Sequence, residues 1–544
     1  MKKQLIYLLM GLLFSASISA TASAQIIFET AKSERIANYT INVALDTEHK
    51  MLTGKMLLEW KNPSRDTVSE LRFHSYMNAF SNSESSFMKE TGYFDTDELE
   101  KKDWGYLQLD RFRVSEGENL IRKYQYISPD DNNEADRTVF SVDLEEPVLP
   151  GESITLEMEF TVKLPKIFAR TGYYENFYLI GQWFPKIGVY ENGKWHCHQF
   201  HANSEFYSNF GLYEVNINLP QDYLTGATGV LIKTTKHKNG TKTMHYRAED
   251  VVDFAWAASN KYTVAETEYK GTAIRLMLQP EHLNQSNRYL SSLKIALDYF
   301  SEKLGPYPYP VITVVDPPLG GIAAGGMEYP GFITGVSSKY MPKGLRVTER
   351  ITIHEFGHQY FMALIATDEF REAWLDEGLN SYFETRIMNE AYGQNQSLID
   401  FWGFTLGDAD FYRSGYANHP FSDLTRINQY AWDFPEYSYS VMNYNKPATF
   451  LIGLERMLGT ECMNDIFKTY YEQFKFKHPK TQDFVNIVIK KAAEQTDNIY
   501  SDYPEAFFEQ FLNTSAVCDY AVKTIKQKED SRYTGLLGKV DGFD

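Results

Sequence analysis

The spacing of apolar residues changes once along the chain, and this change separates two kinds of structure. Up to about residue 265, apolar and polar residues alternate, as in Tyr39-Ile41-Val43-Leu45 and from Ile154 to Leu164. Later, apolar residues recur three or four positions apart, as in Leu293, Leu297, Phe300 and Leu304. Alternation is typical of half-buried strands, and the longer spacing is typical of helices with one buried face. We therefore expect a multidomain α+β chain with a β-rich first half.

The β-rich half has the features of an antiparallel saddle or sandwich. Its strand-like segments are separated by turn sequences such as Glu191-Asn192-Gly193 and Lys238-Asn239-Gly240, which favour antiparallel connections. Beyond it, Gly305-Pro306 ends a predicted helix and Val311 to Val315 forms a short apolar strand. We place the domains at residues 25–265 (β-rich), 266–475 (mostly helical after residue 346) and 476–544 (a short helical tail).

The first 24 residues have the pattern of a signal peptide. Lys2 and Lys3 precede an apolar run from Leu5 to Leu13, and Ala22-Ser23-Ala24 has the small residues that signal peptidase accepts. We expect a mature protein that begins at Gln25 and is exported, either to the periplasm or out of the cell. An uncleaved N-terminal anchor is the alternative. No later stretch approaches 18 consecutive apolar residues, so we expect no transmembrane span after cleavage.

Composition excludes several classes of protein. The 544 residues include 54 basic and 72 acidic side chains, for a net charge of −18. Such an acidic chain lacks the positive field that attracts nucleic acids, so we expect no nucleic-acid partner. With 43% apolar residues it is not a disordered chain, and its three cysteines cannot form a disulfide framework. A large, folded enzyme fits these limits.

His354-Glu355-Phe356-Gly357-His358 is an HExxH motif. It lies in a segment from Glu349 to Ile365 whose apolar pattern predicts a helix. Four residues make about one helical turn, so both imidazoles leave the same face and can bind one Zn²⁺. Glu355 can reach a water beside the metal and accept its proton as a general base. The alternative is that both histidines are ordinary surface or core residues.

A catalytic zinc site needs a third protein ligand and an open position. Trp374-Leu375-Asp376-Glu377-Gly378 supplies the candidate. Glu377 is far enough from His358 for a loop and a return on a second helix. The predicted ligand set is therefore His354, His358 and Glu377.

In this arrangement of motifs the chain resembles the gluzincin M1 family of zinc aminopeptidases. Two further segments carry the resemblance. Gly325-Gly326-Met327-Glu328-Tyr329 is similar to the family's Gly-x-Met-Glu-Asn exopeptidase motif. Tyr444-Asn445-Lys446-Pro447-Ala448 is similar to the segment with its catalytic tyrosine. The four motifs occur in the family's order over residues 325–448.

The resemblance implies a fold, a metal and a reaction. The fold would be an N-terminal β domain, a thermolysin-like α/β zinc-peptidase domain and a short helical C-terminal segment. One Zn²⁺ per chain would be bound, and the substrates would be peptides with a free N-terminal amine. Glu355 would be the general base, Tyr444 would stabilise the oxyanion, and Glu328, with Gly325, Gly326 and Met327, would bind the substrate's amine.

The chain departs from the family in two places. Tyr329 replaces the usual Asn, and only about 70 residues follow the catalytic part, where longer members have a large helical domain. A more open cleft is therefore expected. Two alternatives to an aminopeptidase stay open: an endopeptidase or other small-substrate hydrolase with the same zinc site, and a non-catalytic peptide-binding protein.

Other polar groups give weaker signals. His196, His198 and His201 are close enough in sequence to suggest a second metal site, but a strand of the β domain is the favoured interpretation. Gln182 is a candidate for a contact with the substrate amine. Glu384, two helical turns after Glu377, is either a partner of a ligand histidine or a surface carboxylate.

Overall fold

The computed structural model describes residues 27–92, 101–420, 424, 426–435, 438–495, 503–515, 522–527 and 536–540. The predicted signal peptide at residues 1–24 lies outside this part of the chain. Among the described helices, none combines the length and the apolar composition needed to cross a membrane.

A seven-stranded sheet forms the centre of the β-rich half. In spatial order its strands are Val230–Lys236, Thr241–Val251, Gly211–Pro220, Ala37–Asp46, Met51–Lys61, Ser153–Lys163 and Tyr106–Val114. The alternating segments of the sequence are strands of this sheet, with every second side chain buried. Neighbours are antiparallel, as expected, with one exception: Ala37–Asp46 pairs in parallel with Gly211–Pro220. No hairpin joins these two strands, so their directions are not forced to oppose.

Smaller sheets and short helices complete this half. One four-stranded sheet contains Lys186–Ile187, Val68–His74, Val139–Val148 and Gln125–Ile127, and another contains Leu224–Ala227, Trp256–Ser259, Phe177–Ile180 and Gly172–Tyr174. The hairpin Val189–Glu191 and Lys194–His196 turns at the predicted position. The short helices are Tyr76–Phe80, Ser86–Thr91 and Lys101–Asp103.

A mixed sheet and a set of helices form the middle of the chain. The sheet order is Thr263–Tyr269, Thr272–Leu278, Val311–Val315 and Phe332–Thr334, with an antiparallel first pair and parallel pairs after it. A small hairpin, Ile399–Phe401 and Phe404–Leu406, lies among the helices. The helices are Pro280–Gln285, Ser286–Lys303, Leu319–Ala324, Val347–Gly357, Glu369–Glu372, Trp374–Tyr392, Asp408–Ala417, Ala431–Asp433, Ser438–Ser440, Val441–Asn445, Lys446–Leu458 and Thr460–Phe474.

Two helices carry the HExxH motif and Glu377. They are the motif helix, Val347–Gly357, whose C-cap is His358, and the ligand helix, Trp374–Tyr392. The prediction of a helix as far as Ile365 was wrong beyond Gly357, because the chain turns after His358. Asn380 packs against Gly357 at this turn, and its side-chain amide donates to the carbonyl of His354 at 2.8 Å. His358 keeps helical backbone angles, so both imidazoles still leave one face.

The tail packs against these helices. It contains Thr481–Ala493 and Pro504–Asn513, followed by a paired strand segment, Val522–Gln527 with Leu536–Val540. The Trp374 indole donates to the Thr481 hydroxyl at 3.0 Å, and the Lys446 ammonium donates to the carbonyl of Thr514 at 3.1 Å. Residue 265 falls inside a strand and residue 475 follows a helix, and the domain limits themselves stay predictions.

Candidate active site

The two histidines of the motif helix and Glu377 of the ligand helix form a compact triad. Oε2 of Glu377 lies 3.2 Å from Nε2 of His354 and 3.3 Å from Nε2 of His358. The two Nε2 atoms are 3.1 Å apart. Within the described part of the chain, no other group of three or more His, Cys, Asp or Glu residues has ligand atoms gathered for a metal ion.

Carboxylates orient both imidazoles from behind. Nδ1 of His354 lies 2.8 Å from Oε2 of Glu384, and Nδ1 of His358 lies 2.6 Å from Oδ1 of Asp376. A carboxylate at Nδ1 keeps the proton there and leaves the Nε2 lone pair facing the triad, as a metal ligand requires. The donor set of two imidazoles and one carboxylate therefore fits a catalytic zinc ion. Glu384 is the histidine partner, not a surface carboxylate.

The triad opens into a cavity of about 190 Å³. Nine residues that the sequence nominated for the site line it: Gly325, Gly326, Met327, Glu328, His354, Glu355, His358, Glu377 and Tyr444. Two residues of the β-rich half, Arg170 and Glu205, complete its wall. The motifs thus come together in one place.

Glu355 faces the Gly-rich segment across this cavity. A Cβ atom placed on Gly326 would lie 3.7 Å from Oε1 of Glu355, so the missing side chain leaves room beside this carboxylate. Glu355 is buried, and burial raises its pKa above the ordinary value, although the neighbouring His354 and His358 oppose the change. A raised pKa strengthens a carboxylate as a proton acceptor.

Tyr444 lies on a π-helical turn, Val441–Asn445, that precedes a regular helix. Its hydroxyl donates to Oε1 of Glu377, and its ring stacks on His354 with centroids 5.8 Å apart. Burial raises the pKa of this phenol well above its ordinary value, so the hydroxyl keeps its hydrogen. Tyr444 therefore presents a hydrogen-bond donor beside the triad.

Glu328 is held by the strand that follows it. The amide of Met327 donates to the Thr334 hydroxyl at 3.0 Å, and the amide of Thr334 donates back to the carbonyl of Met327 at 2.8 Å. The amide side chain of Gln359 donates to the carbonyl of Tyr329 at 3.2 Å. The segment is therefore anchored although Tyr329 replaces the family's Asn. Burial, reinforced by the negative charge of Glu205, raises the pKa of Glu328.

Arg170 and Glu205 were not found from the sequence. Both lie in loops without periodic spacing, and neither belongs to a recognisable motif. The sequence candidate Gln182 does not line the cavity, since its amide donates to Asp253 at 2.7 Å instead. No local sequence pattern distinguishes these three residues, and their positions relative to the cavity are known only from the folded structure.

The histidines of the β-rich half are bound to carboxylates. Nδ1 of His198 lies 2.7 Å from Asp130, and Nδ1 of His201 lies 2.7 Å from Glu90. The predicted strand ends at His196, and the chain continues as a loop through His201. Nδ1 of His196 lies 3.2 Å from Asp368, so all three histidines are explained as structural groups.

Comparisons with known proteins agree with the motifs. The model of the peptidase family M1 domain matches residues 288–503. Glutamyl aminopeptidase of Bitis rhinoceros is 24% identical over 283 residues, which is 50% of this chain and 29% of that protein. Leucine aminopeptidase 2 of Emericella nidulans is 24% identical over 279 residues, which is 50% of this chain and 43% of that protein. The chain thus spans less than half the length of these relatives.

The fold has a solved counterpart. The crystal structure of the M1 zinc metallopeptidase from Deinococcus radiodurans matches with a TM-score of 0.59 at 15% identity, over 90% of this chain and 96% of that one. The match confirms the predicted fold, a sheet-rich N-terminal part followed by a helical part. The motifs, the fold and the family match agree, and the chain carries a peptidase family M1 domain.

Proposed function

We propose that this protein is a zinc-dependent aminopeptidase that removes N-terminal residues from peptides. One observation carries the proposal: a single cavity of about 190 Å³ contains the triad, a buried carboxylate for a base, a phenol donor and the carboxylate of Glu328. His354, His358 and Glu377 would hold one zinc ion per chain. A zinc ion there supplies Lewis-acid polarisation of the peptide carbonyl and makes a neighbouring water more acidic.

Glu355 is the proposed general base. It follows His354 on the motif helix and faces the cavity beside Gly326. In this role it accepts the proton of the attacking water and later delivers it to the nitrogen of the leaving amine. Its burial supports the first step because a desolvated carboxylate holds a proton more strongly.

Tyr444 is the proposed donor to the oxyanion that develops on the scissile carbonyl. Its hydroxyl donates its one hydrogen to Glu377 in the structure, and this hydrogen would turn to the oxyanion during the reaction. A donor that is already positioned requires little reorganisation as charge develops. The π-helical turn fixes the ring against His354, which keeps the hydroxyl at the triad.

Glu328 is the proposed partner of the substrate's free amine. Glu328 is 7% exposed and Glu205 is 3% exposed, and both line the cavity. Among the described residues, no Lys, Arg or His lies within ion-pair distance of Glu328, so this buried carboxylate gains a counter-charge when an ammonium group binds. A fixed anchor for the amine limits cleavage to the first peptide bond.

An aminoacyl arylamide assay tests this function. We expect hydrolysis of free-amine substrates, loss of activity with a chelator, and recovery on adding zinc. N-acetylated analogues should be inert, because they lack the charge that Glu328 binds. An endopeptidase would cleave the acetylated peptides and would tolerate Glu328→Ala. A peptide-binding protein would hydrolyse neither kind of substrate at any zinc concentration.

We also propose that the protein is exported. The basic, apolar and small-residue pattern of residues 1–24 supports this. Cell fractionation and N-terminal sequencing test it: the mature chain should begin at Gln25 and be found outside the cytoplasm. An intact N-terminus in the cytosolic fraction would contradict it.

A further inference from the structure

The cavity wall carries a strongly unbalanced charge. Four glutamates line it, namely Glu205, Glu328, Glu355 and Glu377. Among the described residues that line the cavity, Arg170 is the one Lys or Arg side chain. The guanidinium therefore stands as a fixed positive charge among carboxylates, and it cannot lose its proton in a protein.

The backbone of Arg170 is fixed beside the Gly-rich segment that precedes Glu328. Its backbone amide donates to the carbonyl of Ala323 at 3.1 Å, just before the Gly325-Gly326 segment. Its backbone has a φ of +54°, a conformation that residues with side chains adopt rarely. Arg170 and Glu328 both line the cavity. A peptide whose amine binds Glu328 would therefore place its N-terminal residue in the cavity that Arg170 lines.

The guanidinium makes a two-pronged ion pair with Glu205. Nη2 of Arg170 lies 2.6 Å from Oε1 of Glu205, and Nη1 bonds to Oε2. The Glu205 side chain is 3% exposed, whereas that of Arg170 is 26% exposed. Such a fork-shaped pair holds both groups in a fixed geometry. The positive charge therefore keeps its place when a substrate enters.

We propose that Arg170 is a specificity-determining residue that disfavours peptides whose N-terminal residue is lysine or arginine. The proposal rests on the aminopeptidase function above. An α-ammonium group satisfies Glu328, but a lysine or arginine side chain would bring a second positive charge beside the guanidinium. Specificity arises from such repulsion as much as from attraction.

Substrate panels on four proteins test the proposal. For the wild type, kcat/KM should be at least about tenfold higher for leucyl arylamide than for lysyl arylamide. Arg170→Gln should lower the leucyl-to-lysyl ratio at least about tenfold. Arg170→Lys keeps the charge without the fork and should keep the ratio within about threefold. The double variant Arg170→Gln/Glu205→Gln removes one charge of each sign and should return the ratio toward that of the wild type.

Arg288→Gln is the matched control. Arg288 makes a comparable two-pronged pair with Glu349, with side chains 12% and 9% exposed, and neither residue lines the cavity. Its loss should leave the substrate ratio unchanged. Calorimetric binding of leucinamide and lysinamide to the Glu355→Gln protein, with and without Arg170→Gln, gives a readout that does not depend on turnover. Arg170→Gln should lower the ratio of leucinamide to lysinamide affinity there as well.

The outcomes separate this proposal from the function on which it rests. If the zinc-loaded wild type hydrolyses no aminoacyl arylamide, the aminopeptidase function is wrong. If it hydrolyses them with equal kcat/KM for lysyl and leucyl substrates, only the role of Arg170 is overturned. The role of Arg170 would also be overturned if Arg170→Lys lowered the leucyl-to-lysyl ratio as much as Arg170→Gln does. The geometry of the side chain, and not its charge, would then determine specificity.

Discussion

Nδ1 of His354 lies 2.8 Å from Oε2 of Glu384, two turns further along the helix that carries Glu377. One helix therefore provides both a metal ligand and the carboxylate that orients another ligand. Arg350 contacts Glu384 at 2.7 Å and Asp408 at 2.8 Å, which fixes the carboxylate in turn. The ligand geometry is thus set by a buried chain of charges behind the metal site.

Glu384→Gln should weaken zinc binding by about 10–100-fold, because the amide holds the Nδ1 proton of His354 less strongly. Competition with a chromophoric chelator measures the affinity. Glu390→Gln, on the exposed side of the same helix, is the control and should bind zinc like the wild type. Equal affinity in all three proteins would show that Glu384 has no part in holding the ligand.

Tyr444→Phe should lower kcat by about 10²–10³-fold with little change in KM, because the hydroxyl acts on charge that develops only in the transition state. Steady-state kinetics with a leucyl arylamide measure both constants. Zinc content should stay the same, since the phenol is not a ligand. A rise in KM at constant kcat would instead assign Tyr444 to substrate binding.

Gly357→Ala should destabilise the protein and weaken zinc binding together. A Cβ atom at Gly357 would lie 1.8 Å from the side-chain oxygen of Asn380 and 3.1 Å from the ring of Phe300. Such overpacking costs about 1–3 kcal/mol and pushes the motif helix away from the ligand helix. Thermal unfolding and chelator competition measure the two effects.

Gly453→Ala is the matched control for this substitution. Gly453 lies inside the helix Lys446–Leu458, and nothing lies within 4 Å of a Cβ atom placed there. Alanine should stabilise that helix by up to about 1 kcal/mol. Similar destabilisation by both substitutions would refute the close-packing explanation for Gly357.

His201 should make stability depend on pH above neutrality. Burial alone would lower the pKa of His201, but hydrogen bonds to Asp130 and Glu90 outweigh burial and raise the pKa to about 9. A folded-state pKa above the ordinary 6.5 means that protonation stabilises the fold fully below about pH 6.5. That stabilisation, at most about 3 kcal/mol, is lost as the pH rises through about 9.

The pH dependence of His201→Gln tests this directly. The difference in unfolding free energy between the wild type and the variant should be largest near pH 6 and should shrink toward pH 9.5. Denaturant titrations at several pH values measure it. A difference that stays constant across this range would contradict a charged His201.

The sequence predicted those parts of the site that depend on local spacing. His354, Glu355 and His358 occupy one helical turn, and Glu377 follows on the next long helix, so periodicity was enough to group them. The extent of the motif helix was overestimated, because the residues after Gly357 are buried in a turn and their apolar pattern is also compatible with a helix. Arg170 and Glu205 have no local signal, since the β-rich half places their loops at the cavity only after folding.

The β-rich half shows the same distinction. Alternation in Ser153–Lys163 predicted a half-buried strand, and the strand exists with that face buried. The parallel pairing of Ala37–Asp46 with Gly211–Pro220 has no counterpart in either segment's pattern. Strand partners far apart in sequence are decided by the packing of the whole sheet.

Glu355→Gln tests the central claim most directly. The glutamine keeps the size of the side chain and leaves the triad intact, but it cannot accept a proton. We expect the variant to bind one zinc ion per chain, as measured by metal analysis, and to lose at least about 10³-fold in kcat on leucyl arylamide. A variant that holds zinc and keeps wild-type turnover would contradict the account.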